Sequence, residues 1–175
     1  MRARPLLTLA LLIGLAGTAS AQQSTGQRSI LAGHDASADV LFDADRMELL
    51  DRDDRVFLVG NVVVRQAGLT LRTARLRVAY ADTGGLDVKR LDASGGVTLT
   101  SAGETARGDY AVYDLDDGLI TVVGDVRLQQ GGNELVGQRL TIDLDSGRAV
   151  IDGGPPGVDQ SGGRVSGRFT VPERN

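Results

Sequence analysis

Three Gly-x-Val steps constrain this chain more than any other feature: Gly60-Asn61-Val62, Gly95-Gly96-Val97 and Gly124-Asp125-Val126. Each lies within an apolar-alternating run. Each is followed about 15 residues later by a second such run, at Leu76-Arg77-Val78, Tyr110-Ala111-Val112 and Leu140-Thr141-Ile142. With a less regular first copy, the pattern of strand, tight polar turn and strand occurs four times. A repeat of this kind stacks β-structure around one continuous apolar interior rather than building a single catalytic pocket.

Side chains alternate along a strand, so Val56, Leu58, Gly60, Val62 and Val64 share a face. The same offset groups Leu91, Ala93, Gly95, Val97 and Leu99, then Ile120, Val122, Gly124, Val126 and Leu128. Thr121, Asp125 and Arg127 fall on the opposite side of that third strand, a sorting that a helical period does not produce. The central Gly of each face marks a bend between two sheets or a close approach of another group. Turn signals follow the second strand of each unit, at Asp82-Thr83-Gly84-Gly85, Asp116-Asp117-Gly118 and Asp145-Ser146-Gly147, with Asp51-Arg52-Asp53-Asp54 as an earlier counterpart. Asp and Gly accept the backbone conformations that hairpins demand. The expectation is an all-β chain.

The first 21 residues read as a cleavable export signal. Met1 to Arg4 is a short basic segment, Leu6 to Ala16 an apolar run too short to span a bilayer, and Ala19-Ser20-Ala21 a small-residue cleavage site. Gln22 to Ser37 reads as a flexible arm, Ala38 to Ile151 as the single β-domain, and 152–175 as a Gly/Pro-rich segment. Within that segment Val165 to Val171 has the pattern of one more short strand. Of 19 basic residues, Arg2 and Arg4 leave with the signal, so 17 stand against 23 acidic ones. That balance argues against nucleic acid, which wants a basic stripe. With no Cys and no Trp, the fold depends on neither disulfides nor a large aromatic core.

No motif for chemistry emerges. His34 is the sole histidine and has no partner at a recognisable spacing for a metal site or a Ser-His-Asp triad. Asp51, Asp53 and Asp54 lack the Gly and the distal Glu of an EF-hand loop. Glu104, Asp109, Glu134 and Asp143 lie near strand ends, and nothing in the spacing pairs them as a glycosidase dyad. Neither an enzyme nor a cofactor is expected.

The recurrent Gly-(Asn/Asp)-Val strands and the (Ala/Gly)-x-x-Leu-x-Ile strands that succeed them resemble the OstA-like family. The matching residues are Gly60-Asn61-Val62, Gly124-Asp125-Val126, Ala74-Arg75-Leu76-Arg77-Val78 and Gly137-Gln138-Arg139-Leu140-Thr141-Ile142, with Ala44-Asp45-Arg46-Met47-Glu48 similar to the family's opening repeat. The resemblance covers roughly Ala38 to Ile151. Gly95-Gly96-Val97 and the Gly/Pro-rich end depart from it.

The resemblance implies an open β-jellyroll, two antiparallel sheets folded into a twisted V with an apolar interior groove. It further implies a periplasmic carrier that takes lipid A acyl chains into the groove and bridges lipopolysaccharide from inner to outer membrane. Such a bridge meets an inner-membrane export module and an outer-membrane translocon edge to edge, and a head-to-tail homo-oligomer fits the same edges. The groove residues are then Val62, Val64, Leu76, Val78, Val97, Leu99, Tyr110, Val112, Val126, Leu128, Leu140 and Ile142. Arg65, Arg72, Arg75 and Arg77 are either contacts to lipid phosphates or plain solvated surface arginines. Three alternatives stand beside the bridge: the membrane-proximal export module of the same fold, a structural β-adaptor that buries the same stripe permanently, and an exported hydrolase.

Overall fold

The computed structural model describes residues 34–35, 37–50, 54–82, 85–154 and 163–170. Among them run ten strands: β1 (Leu41–Asp43), β2 (Arg46–Leu50), β3 (Arg55–Gln66), β4 (Leu69–Asp82), β5 (Leu86–Ser101), β6 (Glu104–Asp114), β7 (Leu119–Gln130), β8 (Asn133–Asp143), β9 (Arg148–Asp152) and β10 (Ser166–Arg168). From β3 to β8 each strand pairs antiparallel with the next, and the path forks at both ends. β2 pairs with the first half of β3 and β1 with the second half. At the far end β9 takes the second half of β8 and β10 the first half.

The forks reflect a crease that crosses every long strand. Register breaks fall between Val59 and Val62, Thr73 and Arg75, Ser94 and Val97, Arg107 and Tyr110, and Val123 and Val126. These positions are neighbours across the sheet, so the breaks line up and divide one hydrogen-bonded sheet into two leaves. The first leaf holds β2, the early halves of β3, β5 and β7, the late halves of β4, β6 and β8, and β9. The second holds β1, the complementary halves and β10. The result is the expected all-β, open β-jellyroll.

The crease explains the Gly-x-Val motif. Gly60-Asn61, Gly95-Gly96 and Gly124-Asp125 are pairs in which both residues have positive φ, between 42° and 87°. Gly enters that region freely, and Asn and Asp enter it more readily than other residues. Gly95-Gly96, a departure as sequence, is therefore the same device as geometry. The space that a side chain on Gly60 or Gly124 would fill is taken by the carboxyl groups of Asp45 and Asp109. That close approach is intramolecular, which settles the Gly positions as bends.

Opposite each two-residue bulge stands a single residue: Ala74, Asp109 or Gln138. Two inserted residues preserve the alternation of faces; one inverts it. The inward set on β3, β5 and β7 accordingly keeps its parity through the crease. On β4, β6 and β8 it switches, from Thr73 to Leu76, Ala106 to Ala111 and Gly137 to Leu140.

The Gly/Pro-rich segment does not end the sheet at Ile151. β9 runs through Asp152, and Gly154 has the positive φ of the other creases. β10 then returns against the second leaf over Ser166–Arg168, shorter than Val165 to Val171, of which Val171 lies outside the described residues. The expected signal segment, most of the N-terminal arm, Asp51 and Asp53, and part of the Asp82 turn also lie outside them.

Candidate functional site

The two leaves face each other across one apolar interior. Nearest the crease on the first leaf, a row runs Leu58, Leu76, Ala93, Ala111, Val122 and Leu140; the next runs Val56, Val78, Leu91, Tyr113, Ile120 and Ile142. The second leaf answers with Val62, Val97 and Val126, then Val64, Leu71, Leu99, Ala106 and Leu128. Leu140, Ile142, Val122, Val126 and Ala106 have no exposed surface at all. Burying a Val, Leu or Ile side chain contributes about 1.5 to 3 kcal/mol.

Of the twelve residues expected inside, Val62, Val64, Leu76, Val97, Leu99, Val126, Leu140 and Ile142 are buried there, and Val78 and Leu128 are partly buried against the same core. Tyr110 and Val112 belong to the opposite face. The Tyr110 hydroxyl donates to Asp92 Oδ1 at 2.8 Å on the outer surface of the first leaf. Their inward neighbours Ala111 and Tyr113 fill the places expected of them. The single crease residue Asp109 inverts the alternation within β6, which a reading of β6 by apolar residues alone overlooks. Spacing carried the missing signal: Gly60 to Leu76 and Gly124 to Leu140 are each 16 positions, and 16 from Gly95 lands on Ala111.

The inner face differs between the two lips of the V. On the first leaf the outermost inward residues are Tyr80, Val88, Leu115 and Leu144, all buried or packed against the core. On the second leaf the corresponding row reads Gln66, Leu69, Ser101, Glu104, Gln130 and Asn133, neighbours in register. Gln66 bridges the leaves. Its Oε1 accepts from the Tyr113 hydroxyl at 3.3 Å and lies 3.2 Å from His34 Nε2, while its Nε2 donates to the Ala38 carbonyl at 3.0 Å. The arm is thus partly fixed, and His34 touches the mouth of the interior. Burial pushes the Tyr113 phenol above its usual range. Beneath this contact lies a narrow apolar cleft, with about 20 Å³ of room for a water-sized sphere, bounded by Val40, Val64, Leu71, Leu91 and Leu99 among others.

Glu104 is the other polar residue deep in this row. Gln130 Nε2 donates to its Oε1, but its Oε2 is buried without a partner, as is His34 Nδ1. Burial raises the Glu104 carboxyl above the ordinary value. The other three carboxylates considered for chemistry lie apart from it. Asp109 is in the crease, Glu134 pairs with Arg127 at 3.6 Å, and Asp143 caps a turn by accepting from the Ser146 amide at 2.9 Å. Of the arginines, Arg65 pairs with Asp43 at 2.6 Å and Arg77 with Asp92 at 2.7 Å. Arg65, Arg72, Arg75 and Arg77 alternate with inward residues, so none enters the interior.

Among the described residues the interior is uncovered at the N-terminal edge. Phe42 is in register with Val64, Met47 with Leu58 and Leu49 with Val56, so all three continue the inward rows. Each is more than half exposed. At the other edge Ile151 and Ala149 extend the rows beside Leu140 and Ile142, and Phe169 follows β10 into solvent.

This fold has close counterparts. The LptH component of the lipopolysaccharide transport device of Pseudomonas aeruginosa, described as homologous to LptA, superposes with a TM-score of 0.68 at 16% identity, covering 79% of this chain and 99% of that one. An uncharacterised protein of Rhizobium meliloti (strain 1021) is 30% identical over 149 residues, 80% of either chain. Residues 42–148, which span the creased strands from β1 to the start of β9, match the family described as LptA/(LptD N-terminal domain) LPS transport protein, and the chain belongs to that family.

Proposed function

We propose that this protein is a non-enzymatic periplasmic carrier that receives the acyl chains of lipopolysaccharide between its two leaves and passes them from the inner to the outer membrane. One observation carries the reading: the inward apolar rows do not close on themselves but run out onto exposed Phe42, Met47 and Leu49. A sealed core has no use for such a continuation. An interior that joins the interior of the next module does, because edge strands β1 and β2 offer free backbone groups to another sheet while the apolar rows extend across the junction. An inner-membrane export module and an outer-membrane translocon of related fold, or a second copy of this chain, suit those edges. Each acyl methylene taken from water contributes about 0.8 kcal/mol, which needs no catalytic group.

The near-complete burial of Leu140, Ile142 and Val122 favours a second reading, a structural adaptor whose leaves never part. Site-specific photocrosslinking in cells separates the two. A probe at Val97, which faces inward, is expected to capture lipopolysaccharide, and one at Arg127, which faces outward, is not. Absence of an adduct at Val97 in folded, exported protein would mean a sealed core and favour the adaptor over the carrier.

A further inference from the structure

The interior that a carrier must offer is shut beneath the N-terminal arm. The cleft there has about 20 Å³ of room, enough for a single water and too little for an acyl chain. Leu91, Tyr113 and Ile120 wall it on the first leaf, Val64 and Leu71 wall it on the second, and Val40 of the arm completes it. Gln66 fastens the arm in place. Its Nε2 donates to the Ala38 carbonyl at 3.0 Å, and its Oε1 lies 3.2 Å from His34 Nε2. The same Oε1 accepts from the Tyr113 hydroxyl at 3.3 Å, so one side chain ties the arm and its own leaf to the opposite leaf.

Two features suit this seat to being left. The ladder that joins β1 to β3 starts only at Leu41. Ahead of it the arm bonds to itself: the Ala38 amide donates to the Asp35 carbonyl at 3.2 Å, and the Ser37 amide and hydroxyl donate to Asp35 Oδ1 at 3.0 and 2.6 Å. Those bonds survive if the arm lifts. His34 Nδ1, by contrast, is buried without a partner among the described residues while the arm is seated, and lifting returns it to water. Resting on the carrier reading above, we propose that His34, Ala38 and Val40 form a clasp over the interior, with Gln66 as its catch, and that an entering acyl chain displaces it. The seated arm lowers the fraction of molecules open to lipid, and the apparent affinity falls by that fraction. An acyl chain then covers the apolar surface that Val40 gives up, so the interior is never left open to water.

The test is fluorescence titration of the full chain with dansyl-labelled undecanoic acid below its micelle concentration. Gln66→Met keeps the reach of the side chain but not its bonds, and it is expected to bind the probe about tenfold tighter than wild type. His34→Ala on the arm and Tyr113→Phe on the opposite leaf should each tighten binding about threefold, because each loosens the catch from one side only. Thr73→Val removes an inward hydroxyl at the crease, far along the strand from the catch, and should leave the affinity unchanged. Cooperative thermal transitions verify that the variants are folded. The arm itself is followed by spin labels, since the chain has no Cys and both Ser37 and Ala102 are exposed. In the Ser37→Cys/Ala102→Cys variant the distance from the arm to the lip of its own leaf should shift when the probe binds. Unchanged affinity in Gln66→Met, an equal gain in Thr73→Val, or an unmoved distance with the probe bound would overturn the clasp and leave the carrier. Failure of wild type and variants alike to take up the probe would overturn the carrier reading and the clasp with it.

Discussion

Among the described residues each leaf buries one carboxylate, and the two are treated in opposite ways. Asp92, on the outer face of the first leaf, is 5% exposed and accepts four hydrogen bonds: Arg77 Nε and Nη2 at 3.0 and 2.7 Å, Arg90 Nε at 3.0 Å and the Tyr110 hydroxyl at 2.8 Å. Glu104, on the inner face of the second leaf, is almost as buried but receives only Gln130. For Asp92, burial is the largest single influence and opposes ionisation. The bonds from Arg77, Tyr110 and Arg90 together outweigh it and hold the carboxyl below its ordinary value. For Glu104, burial acts without such compensation and the carboxyl rises. Burial alone thus does not decide what a carboxylate does to a fold; its donors do. The first leaf is finished on both faces, whereas the second keeps an unfinished polar lip.

The difference between the leaves can be broken most forcefully in the core. Leu140→Ala removes a side chain with no exposure from the first leaf and is expected to cost about 3 to 4 kcal/mol. The same truncation at Leu128, only partly buried on the second leaf, should cost about 1 to 2 kcal/mol because less surface returns to water and the site collapses more easily. Urea denaturation of the two variants checks the order. Equal losses would mean that Leu128 is as completely packed as Leu140.

Asp92 comes next. Asp92→Asn keeps the shape but weakens the charge-assisted bonds from two arginines that are themselves nearly half exposed, so the loss is set at about 1 to 2 kcal/mol rather than at the value for a fully buried pair. The pH dependence has a definite sign. A carboxyl lowered in the folded state contributes stability that is fully present above its ordinary value, near 3.8, and lost as the pH falls through the lower folded value. Denaturation midpoints of the wild-type chain should therefore fall on acidification below that point, and the Asn variant should fall less. Parallel curves for the two would remove Asp92 from the account.

How much of this was legible in sequence depends on how the crease is written. On β3, β5 and β7 the two-residue bulge leaves the alternation in phase, so Val62, Val97 and Val126 could be assigned to the inner face by counting. On β6 the single residue Asp109 shifts the phase, and Tyr110 and Val112 are apolar enough to look like core, so their neighbours were missed. On β4 and β8 the polar residues Arg75, Arg77, Arg139 and Thr141 flank the true core residues and protect the assignment. The polar lip was hidden for a different reason. Gln66, Glu104, Gln130 and Asn133 adjoin tight hairpins at Ala67-Gly68, Ala102-Gly103 and Gly131-Gly132, where polar residues are ordinary. Only the register shows that they point inward. The Gly/Pro-rich end is a similar case: Gly153-Gly154 reads as a breaker but lies at a crease.

The smallest expected effect bears most directly on the contrast between the leaves, because it runs the other way. Glu104→Leu replaces an orphaned buried acceptor with an apolar side chain of similar reach and should stabilise the protein by about 1 kcal/mol at neutral pH. The linkage argument fixes where that gain appears. A carboxyl raised in the folded state adds stability below its ordinary value, near 4.5, and that stability is lost as the pH rises through the raised folded value. The variant should therefore melt close to the wild-type temperature in mild acid and above it near neutrality, the two curves separating upward from the ordinary glutamate range. Asp92→Asn separates from wild type in the opposite sense, losing most where both carboxyls are ionised. If Glu104→Leu destabilised the chain at neutral pH, Glu104 would have a partner in solution, and the second leaf would be as finished as the first.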